Sequence, residues 1–317
     1  MKNFSYVIII LITFACTGGN VNSSDLTYTL PDSASMDTYY LENYKYFPIK
    51  NNSIQGGIVD VATNQNECYV LDRNNNITKI SLTDGSILST MNRIGHAKGE
   101  LISPKCICAD NQYLYVFDNG RSSIEVFDKN LSYMKRIPAG SFVSEILKID
   151  NGFLCYNRYG QEVSYMDDHG KILYSKQLTE SSNRQISYGC KAMKESADHQ
   201  IYVKGECSDS IFKWNGRTIE PYCHVIYSEN SKRTSENKVF TVDFLPLNNR
   251  IVICYLRGIY FNYVLCSGNS IKHIMAKNFS ILQDGMQATP ILKLMKLTLV
   301  NHLLISQNNK KDLLNIS

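Results

Sequence analysis

The sequence predicts an all-β chain built from a repeated four-stranded antiparallel unit, and three observations carry that expectation. The composition suits strands: 21 tyrosines and 12 phenylalanines accompany abundant Ile, Val and Asn, residues fitted to pleated, half-buried strands and polar turns. Two segments read alike, Cys68-Tyr69-Val70-Leu71-Asp72 through Ile77-Thr78-Lys79-Ile80 and Leu114-Tyr115-Val116-Phe117-Asp118 through Ile124-Glu125-Val126-Phe127-Asp128. Each is a strand, a polar turn opened by aspartate, and a second strand, and the pattern returns at a period of about 40 to 45 residues.

The elements follow in order. Tyr44-Lys45-Tyr46-Phe47-Pro48-Ile49 is strand-like and stands before the first repeat, available to complete a final unit or cover its edge. The first unit opens with Gly57-Ile58-Val59-Asp60-Val61-Ala62 and closes with Ser86-Ile87-Leu88-Ser89 around the 68–80 pair. The second runs from Lys105-Cys106-Ile107-Cys108-Ala109-Asp110 through the 114–128 pair to Tyr133-Met134-Lys135-Arg136-Ile137. Weaker copies lie at 146–149, 152–156 and 163–166, then at 200–203 and 210–214, and a fifth at 239–242, 250–255 and 260–265. After Pro290 the turn residues disappear, and the apolar spacing of 291–305 fits a helix or a long strand equally. Four antiparallel strands per unit at this period is a propeller blade. The expected architecture is therefore an all-β β-propeller over residues 44–317, its last blade short or irregular.

The amino end reads differently. Met1-Lys2-Asn3 and the apolar Val7–Phe14 run have the grammar of a signal peptide over residues 1–15, and the run is shorter than the ~20 apolar residues a spanning helix needs. Ala15-Cys16 resembles the lipobox of bacterial lipoproteins, although Thr13 and Phe14 depart from it; the resemblance implies acylation of Cys16. The small, polar stretch Thr17–Ser24 predicts a flexible lipidated tether over residues 16–43.

Leu114–Asp128 resembles an NHL-type repeat, and the order of segments resembles the six-bladed (NHL/TolB-like) β-propeller lipoproteins of Bacteroides and its relatives. Supporting segments are 44–49, the loop Arg93-Ile94-Gly95-His96-Ala97-Lys98-Gly99-Glu100, and Cys207-Ser208-Asp209-Ser210-Ile211-Phe212. The likeness runs to about Pro290 and departs from the family at Lys98, where a proline is usual. It implies fold and an exported address rather than an activity. Surface-directed members carry acidic residues directly after the lipid cysteine; none precedes Asp25 here, which favours a periplasm-facing anchor.

Charge and cysteine usage narrow the function classes. The net charge is +4, with no basic run longer than pairs such as Lys232-Arg233 and Lys310-Lys311, which argues against a nucleic-acid partner. Cys68, Cys106, Cys108, Cys155 and Cys254 sit where a strand takes a compact apolar side chain. Cys190, Cys207 and Cys223 lie in more polar surroundings that admit one bridge, with Cys190 to Cys207 the first choice. The absence of Cys-x-x-Cys and His-x-x-x-His pairs argues against a zinc site.

Asp72 and Asp118 open equivalent turns, where a carboxylate accepts backbone N–H groups and fixes the bend. Tyr69, Tyr115 and Tyr202 hold matching strand positions and are expected in the core, against a reading of them and Trp214 as a carbohydrate platform. The strongest binding candidates are Arg93, His96, Lys98 and Glu100 in the glycine-bearing loop, with Arg121 in the turn after Asp118. No catalytic constellation is evident. The favoured expectation is a non-catalytic binding or scaffolding module in the cell envelope, held to the membrane by its lipid and receiving an unidentified protein or glycan, without a cofactor. Two alternatives stand beside it. One is a calcium-dependent, lactonase- or lyase-like propeller, to which Asp60, Asp110 and Asp198 would contribute. The other is a sensor or assembly partner of a membrane complex.

Overall fold

The computed structural model describes residues 4–11, 26–30, 36–37, 44–48, 57–140, 142–178, 190–196, 198–206, 208–227, 239–247, 250–257, 260–268, 270–274 and 303–309. Among these residues every regular element is a strand, and the strands form six sheets. The chain divides into two compact units, one chiefly Lys45–Gln177, the other chiefly Leu11–Tyr44 with Leu178–His302.

The first unit holds three four-stranded sheets whose neighbouring strands run antiparallel in chain order. The first comprises Ile58–Thr63, Glu67–Asp72, Ile77–Ser81 and Ile87–Met91; the second Pro104–Ala109, Tyr113–Asp118, Ser123–Asp128 and Tyr133–Pro138; the third Glu145–Ile149, Gly152–Asn157, Glu162–Asp167 and Ile172–Gln177. Their opening strands lie side by side, Ile58–Thr63 against Pro104–Ala109 and that strand against Glu145–Ile149. The middle strands are buried along nearly their whole length, on both faces. Leu71, Ile77, Ile107, Leu114, Val116 and Phe127 fill one layer between the first and second sheets. Tyr115, Phe117, Ile124, Phe153, Cys155 and Met166 fill the layer between the second and third. Burying a side chain of this size stabilises by roughly 1.5–3 kcal/mol. The outer strands pack on one face alone and lose that pattern: Ile172–Gln177 is exposed along most of its length.

Polar groups sew the first and second sheets together. At a bulge in the opening strand, the buried Asp60 accepts the N–H of Val61 at 2.7 Å and that of Ile107 in the next sheet at 2.9 Å. Lys79 pairs with Glu67 at 2.7 Å and donates to the carbonyl of Lys129 at 2.6 Å.

The second unit differs at its edges. Met193–Glu195, Ile201–Lys204, Ser210–Trp214 and Ile219–Tyr227 form an antiparallel sheet to which Leu26–Leu30 adds a fifth, parallel strand. Val239–Leu247, Arg250–Arg257, Tyr260–Ser267 and Ser270–Ile274 form another, with Met36–Asp37 parallel at its edge. The expectation of a flexible tether over 16–43 is therefore corrected: part of that segment is ordered as edge strand. The reason lies in Leu26-Thr27-Tyr28-Thr29-Leu30, whose period-two alternation buries Tyr28 and Leu30 in the core of this unit while Thr27 and Thr29 face out.

A further sheet orders Leu303–Asn309, Phe4–Leu11 and Tyr44–Pro48 side by side, with the first two antiparallel. The 44–48 segment is a strand, as its sequence suggests, but its neighbour is Phe4–Leu11 rather than a strand of the fifth repeat. The 291–305 segment, open between helix and strand in the sequence, is strand from Leu303 onward.

Candidate functional site

In an up-and-down sheet of four strands, the turn between the second and third strands and the connection leaving the fourth lie at one end. In the first unit that end gathers the turn 73–76, the loop 92–103, the turn 119–122, the connection 139–144 and the turn 158–161. Asp72 and Asp118 sit beneath it, both fully buried, in the scaffold role expected of them. Asp72 accepts the N–H groups of Asn74 and Asn76, each at 2.9 Å. Asp118 accepts those of Ile102 and Ser103 at 2.8 Å and Gly120 at 3.0 Å, so one carboxylate ties a turn to the adjoining loop.

The 93–100 loop is closed on itself. Leu101 donates to the carbonyl of Arg93 and Gly95 to that of Leu101, while the Glu100 carboxylate accepts the N–H of Ala97 at 2.9 Å. Gly99 has φ +81°, and a Cβ there would lie 2.9 Å from Cβ of Tyr133, so the loop can rest on that ring only with glycine at this position. Arg121 secures the arrangement: its guanidinium donates to the carbonyls of Gly95 at 3.0 Å and Ala97 at 3.2 Å, and its Nε stands 3.5 Å from Asp118.

The five loop candidates thereby separate into two groups. Glu100 and Arg121 hold the loop's shape. Arg93, His96 and Lys98 are exposed, with Lys98 Nζ 5.8 Å from the centre of the Tyr133 ring.

Hydrogen bonds continue this surface from loop to loop. Ala139 donates to the carbonyl of Ser122, Ser144 to that of Tyr156, and the N–H of Arg158 to Ser144 Oγ at 3.2 Å. On the strip so formed stand three large apolar side chains that sequence reasoning missed: Ile94, 51% exposed, Phe142, 62%, and Tyr159, 81%. Phe142 has φ 70°, a left-handed conformation costing a bulky residue about 1–3 kcal/mol, without compensating burial. The available signal was position: both aromatics fall in connections, where no strand pattern accounts for them.

The remaining candidates are structural or fall outside the described residues. Tyr69, Tyr115, Tyr202 and Trp214 are buried, which removes them as a platform. Asp60 is engaged by the two backbone N–H groups already described, Asp110 by the N–H groups of Gln112 and Tyr113 and the hydroxyl of Tyr115, and Asp198 by the hydroxyl of Ser196. Among the described residues, no three His, Cys, Asp or Glu side chains come together as a metal site needs. Burial pushes the thiols of Cys155 and Cys254 up to about 12, so both are neutral packing groups at physiological pH. Cys190 is a half-buried thiol, also raised by burial and by the nearby Asp243; its expected disulfide partner Cys207 lies outside the described residues. Cys16 lies outside them too.

No known protein family matches the sequence, and no curated protein matches it. Solved structures do match in fold. A protein of Bacteroides fragilis named as exported aligns over 81% of this chain and 77% of its own, with 14% identity and TM-score 0.55. A member of the DUF4221 family from Bacteroides vulgatus aligns over 71% and 83%, with 9% identity and TM-score 0.51. A Bacteroides caccae protein of unknown function aligns over 73% and 84%, with 13% identity and TM-score 0.45. At these identities the likeness is one of architecture, an all-β chain shared with these two proteins of Bacteroides fragilis and Bacteroides vulgatus.

Proposed function

We propose that the protein is a non-catalytic binding module of the cell envelope, a six-bladed β-propeller of the NHL/TolB-like lipoprotein kind, held by an acyl group on Cys16 and facing the periplasm. Its partner docks on the strip formed by loop 93–100 and the connections beside it. One observation carries the reading: at this end the acids are engaged internally, while Arg93, His96 and Lys98 point out from a loop fixed by Arg121 and Glu100. A rigid backbone presenting free side chains is how loops on a β scaffold bind.

Replacing Arg93, His96 and Lys98 together by alanine tests this. Stability should stay within about 0.5 kcal/mol per exposed site, while a photo-crosslinker at position 96 captures an envelope component that is no longer captured once Arg93→Ala and Lys98→Ala are added. Loss of stability in the triple variant would assign the loop to the scaffold instead. The anchor has its own test: Cys16→Ser should leave an uncleaved precursor or release the protein from the membrane fraction. Intact mass of the wild type should show an acylated amino terminus at Cys16. Cleavage there also removes Phe4–Leu11, so the mature chain must complete the sheet of Leu303–Asn309 and Tyr44–Pro48 without it.

A further inference from the structure

We infer that the occupant of this strip is an extended, acidic protein segment with apolar side chains interspersed among its carboxylates. The inference rests on the docking reading above and names the chemistry of the partner.

Three features select it. The first is charge. The turns and loops of this end carry Arg73, Arg93, Lys98, Arg121 and Arg158, with His96, and their sole acid is Glu100, which caps its own loop. The buried carboxylates beneath are also engaged: Asp118 by three N–H groups and Arg121, and Glu145 with Arg158 at 3.8 Å. The turns and connections of the opposite end have Asp84, Asp110, Asp150 and Asp168 against Lys129 and Lys171, with His169. The unit is thus polarised, and the loop end attracts anions. It offers outward donors with few outward acceptors, whereas the hydroxyls of a neutral sugar require both.

The second feature is the apolar side chains. Ile94, Phe142 and Tyr159 stand on three of the five turns and connections of this end, which together also carry Arg93, Lys98, Arg121 and Arg158, and this suits a ligand that combines apolar and acidic groups. Phe142 is held at φ 70° with its ring in solvent, a conformation that asparagine or glycine would adopt with less strain. An aromatic kept there against its own backbone preference is accounted for by contact with a partner.

The third is shape. The hydrogen bonds from Arg121 to Gly95, Ala139 to Ser122 and Arg158 to Ser144 join the connections into one strip crossing three sheets. At about 10 Å between packed sheets the strip is roughly 20 Å long, the span of about six extended residues. A narrow strip favours a single extended chain over the broad plane of a membrane.

The test uses the full-length protein and a fluorescein-labelled peptide, Glu-Trp-Glu-Leu-Glu-Trp-Glu, with versions carrying Gln or Lys in place of Glu. The acidic probe should bind at least ten-fold more tightly than the Gln version, weaken with added salt, and fail as the Lys version. Arg93→Gln with Lys98→Gln should lower its affinity at least ten-fold. Phe142→Asn with Tyr159→Ser should lower it at least five-fold while holding or raising the melting temperature, a combination that a merely structural Phe142 would not give. Equal binding of the acidic and Gln probes, or indifference to either double variant, would overturn the inference. So would stronger, variant-sensitive binding to phosphatidylglycerol vesicles, which would make the strip a lipid surface, or to polygalacturonate, which would make it a glycan site. Capture through position 96 without acidic-probe binding would leave the docking reading standing and remove this one; loss of both would remove both.

Discussion

Among the described residues, the first three sheets end in outer strands that no further strand pairs with, whereas the fourth and fifth each carry an extra parallel strand drawn from the beginning of the chain. An outer strand presents unpaired N–H and C=O groups that template aggregation unless something blocks them. In the first unit the second and third sheets use local chemistry: Lys135, Arg136 and Pro138 on one edge, Lys176 on the other. In the second unit Ile219–Tyr227 has the apolar content of an inner strand and is treated as one, covered by Leu26–Leu30. The difference teaches that Leu26–Leu30 and Met36–Asp37 are part of the fold of the second unit, whereas the second and third sheets leave their outer edges to their side chains. It also shortens the reach of any lipid anchor. From Cys16 to Leu26 the chain can extend at most about 35 Å at ~3.5 Å per residue.

The largest expected effect breaks the comparison at that strand. Tyr28→Ala with Leu30→Ala empties two buried positions of the second unit's core and should cost about 5 kcal/mol or more. Hydrogen exchange should accelerate first along 219–227, with aggregation following. Deleting 17–24 should leave thermal unfolding unchanged, and equal damage from both changes would show that the covering strand contributes little.

The next effect concerns how sheets are joined within each unit. In the first, Asp60 accepts backbone N–H groups across the gap. In the second, Asp243 at the equivalent bulge accepts the N–H of Phe244 and faces Lys194, a fully buried ammonium that also donates to the carbonyl of Phe244 at 2.6 Å. Removing one partner leaves the other charge buried, so Lys194→Met should destabilise by about 3–5 kcal/mol. Adding Asp243→Leu should recover part of that loss, as a double-mutant cycle on chemical unfolding would show.

Much of this architecture was legible in the sequence, and the failures have physical causes. The inner strands announced themselves because both faces are buried, and Asp72 and Asp118 because turn chemistry is local. Ile172–Gln177 left no clear mark, since an exposed outer strand needs no apolar pattern. Leu26–Leu30 was legible as alternation but was taken for tether, because its neighbours Thr17–Ser24 are small and polar. In the site, the sequence brought together Arg93, His96, Lys98, Glu100 and Arg121 but not the division between them, which depends on where two side chains turn. Phe142 and Tyr159 were missed because exposure is a tertiary property.

That division predicts a third, smaller effect. Arg121→Ala removes the donors to Gly95 and Ala97 and should lower stability by about 1–2 kcal/mol, whereas Arg93→Ala should not. Both should weaken partner binding, the first by loosening the loop and the second by removing a contact. Identical melting curves for the two variants would return Arg121 to the binding surface.

The smallest effect separates the two units by pH. Burial alone would push the Glu67 carboxyl up, but hydrogen bonds from Lys79, Tyr69 and Asn64 and the charge of Lys79 outweigh it and hold the carboxyl below its ordinary range. A carboxylate depressed by folding stabilises fully above its unfolded pKa of about 4.3 and loses that contribution as pH falls through the lower, folded value. The first unit should therefore weaken in that acid window as Glu67 is protonated and Lys79, which also holds the Lys129 carbonyl, loses its counter-charge. Glu67→Gln should cost only about 1 kcal/mol at neutral pH, because the amide oxygen can still accept the hydrogen bonds that Glu67 accepts and Lys79 keeps the Lys129 carbonyl. It should also flatten the acid limb of the stability curve for 57–138, leaving that of 193–227 unchanged. Tryptophan fluorescence follows the second unit through Trp214, and hydrogen exchange at 113–118 follows the first. An acid limb unaltered by Glu67→Gln would show that the cross-sheet tie is carried by Asp60 and the shared apolar layer instead.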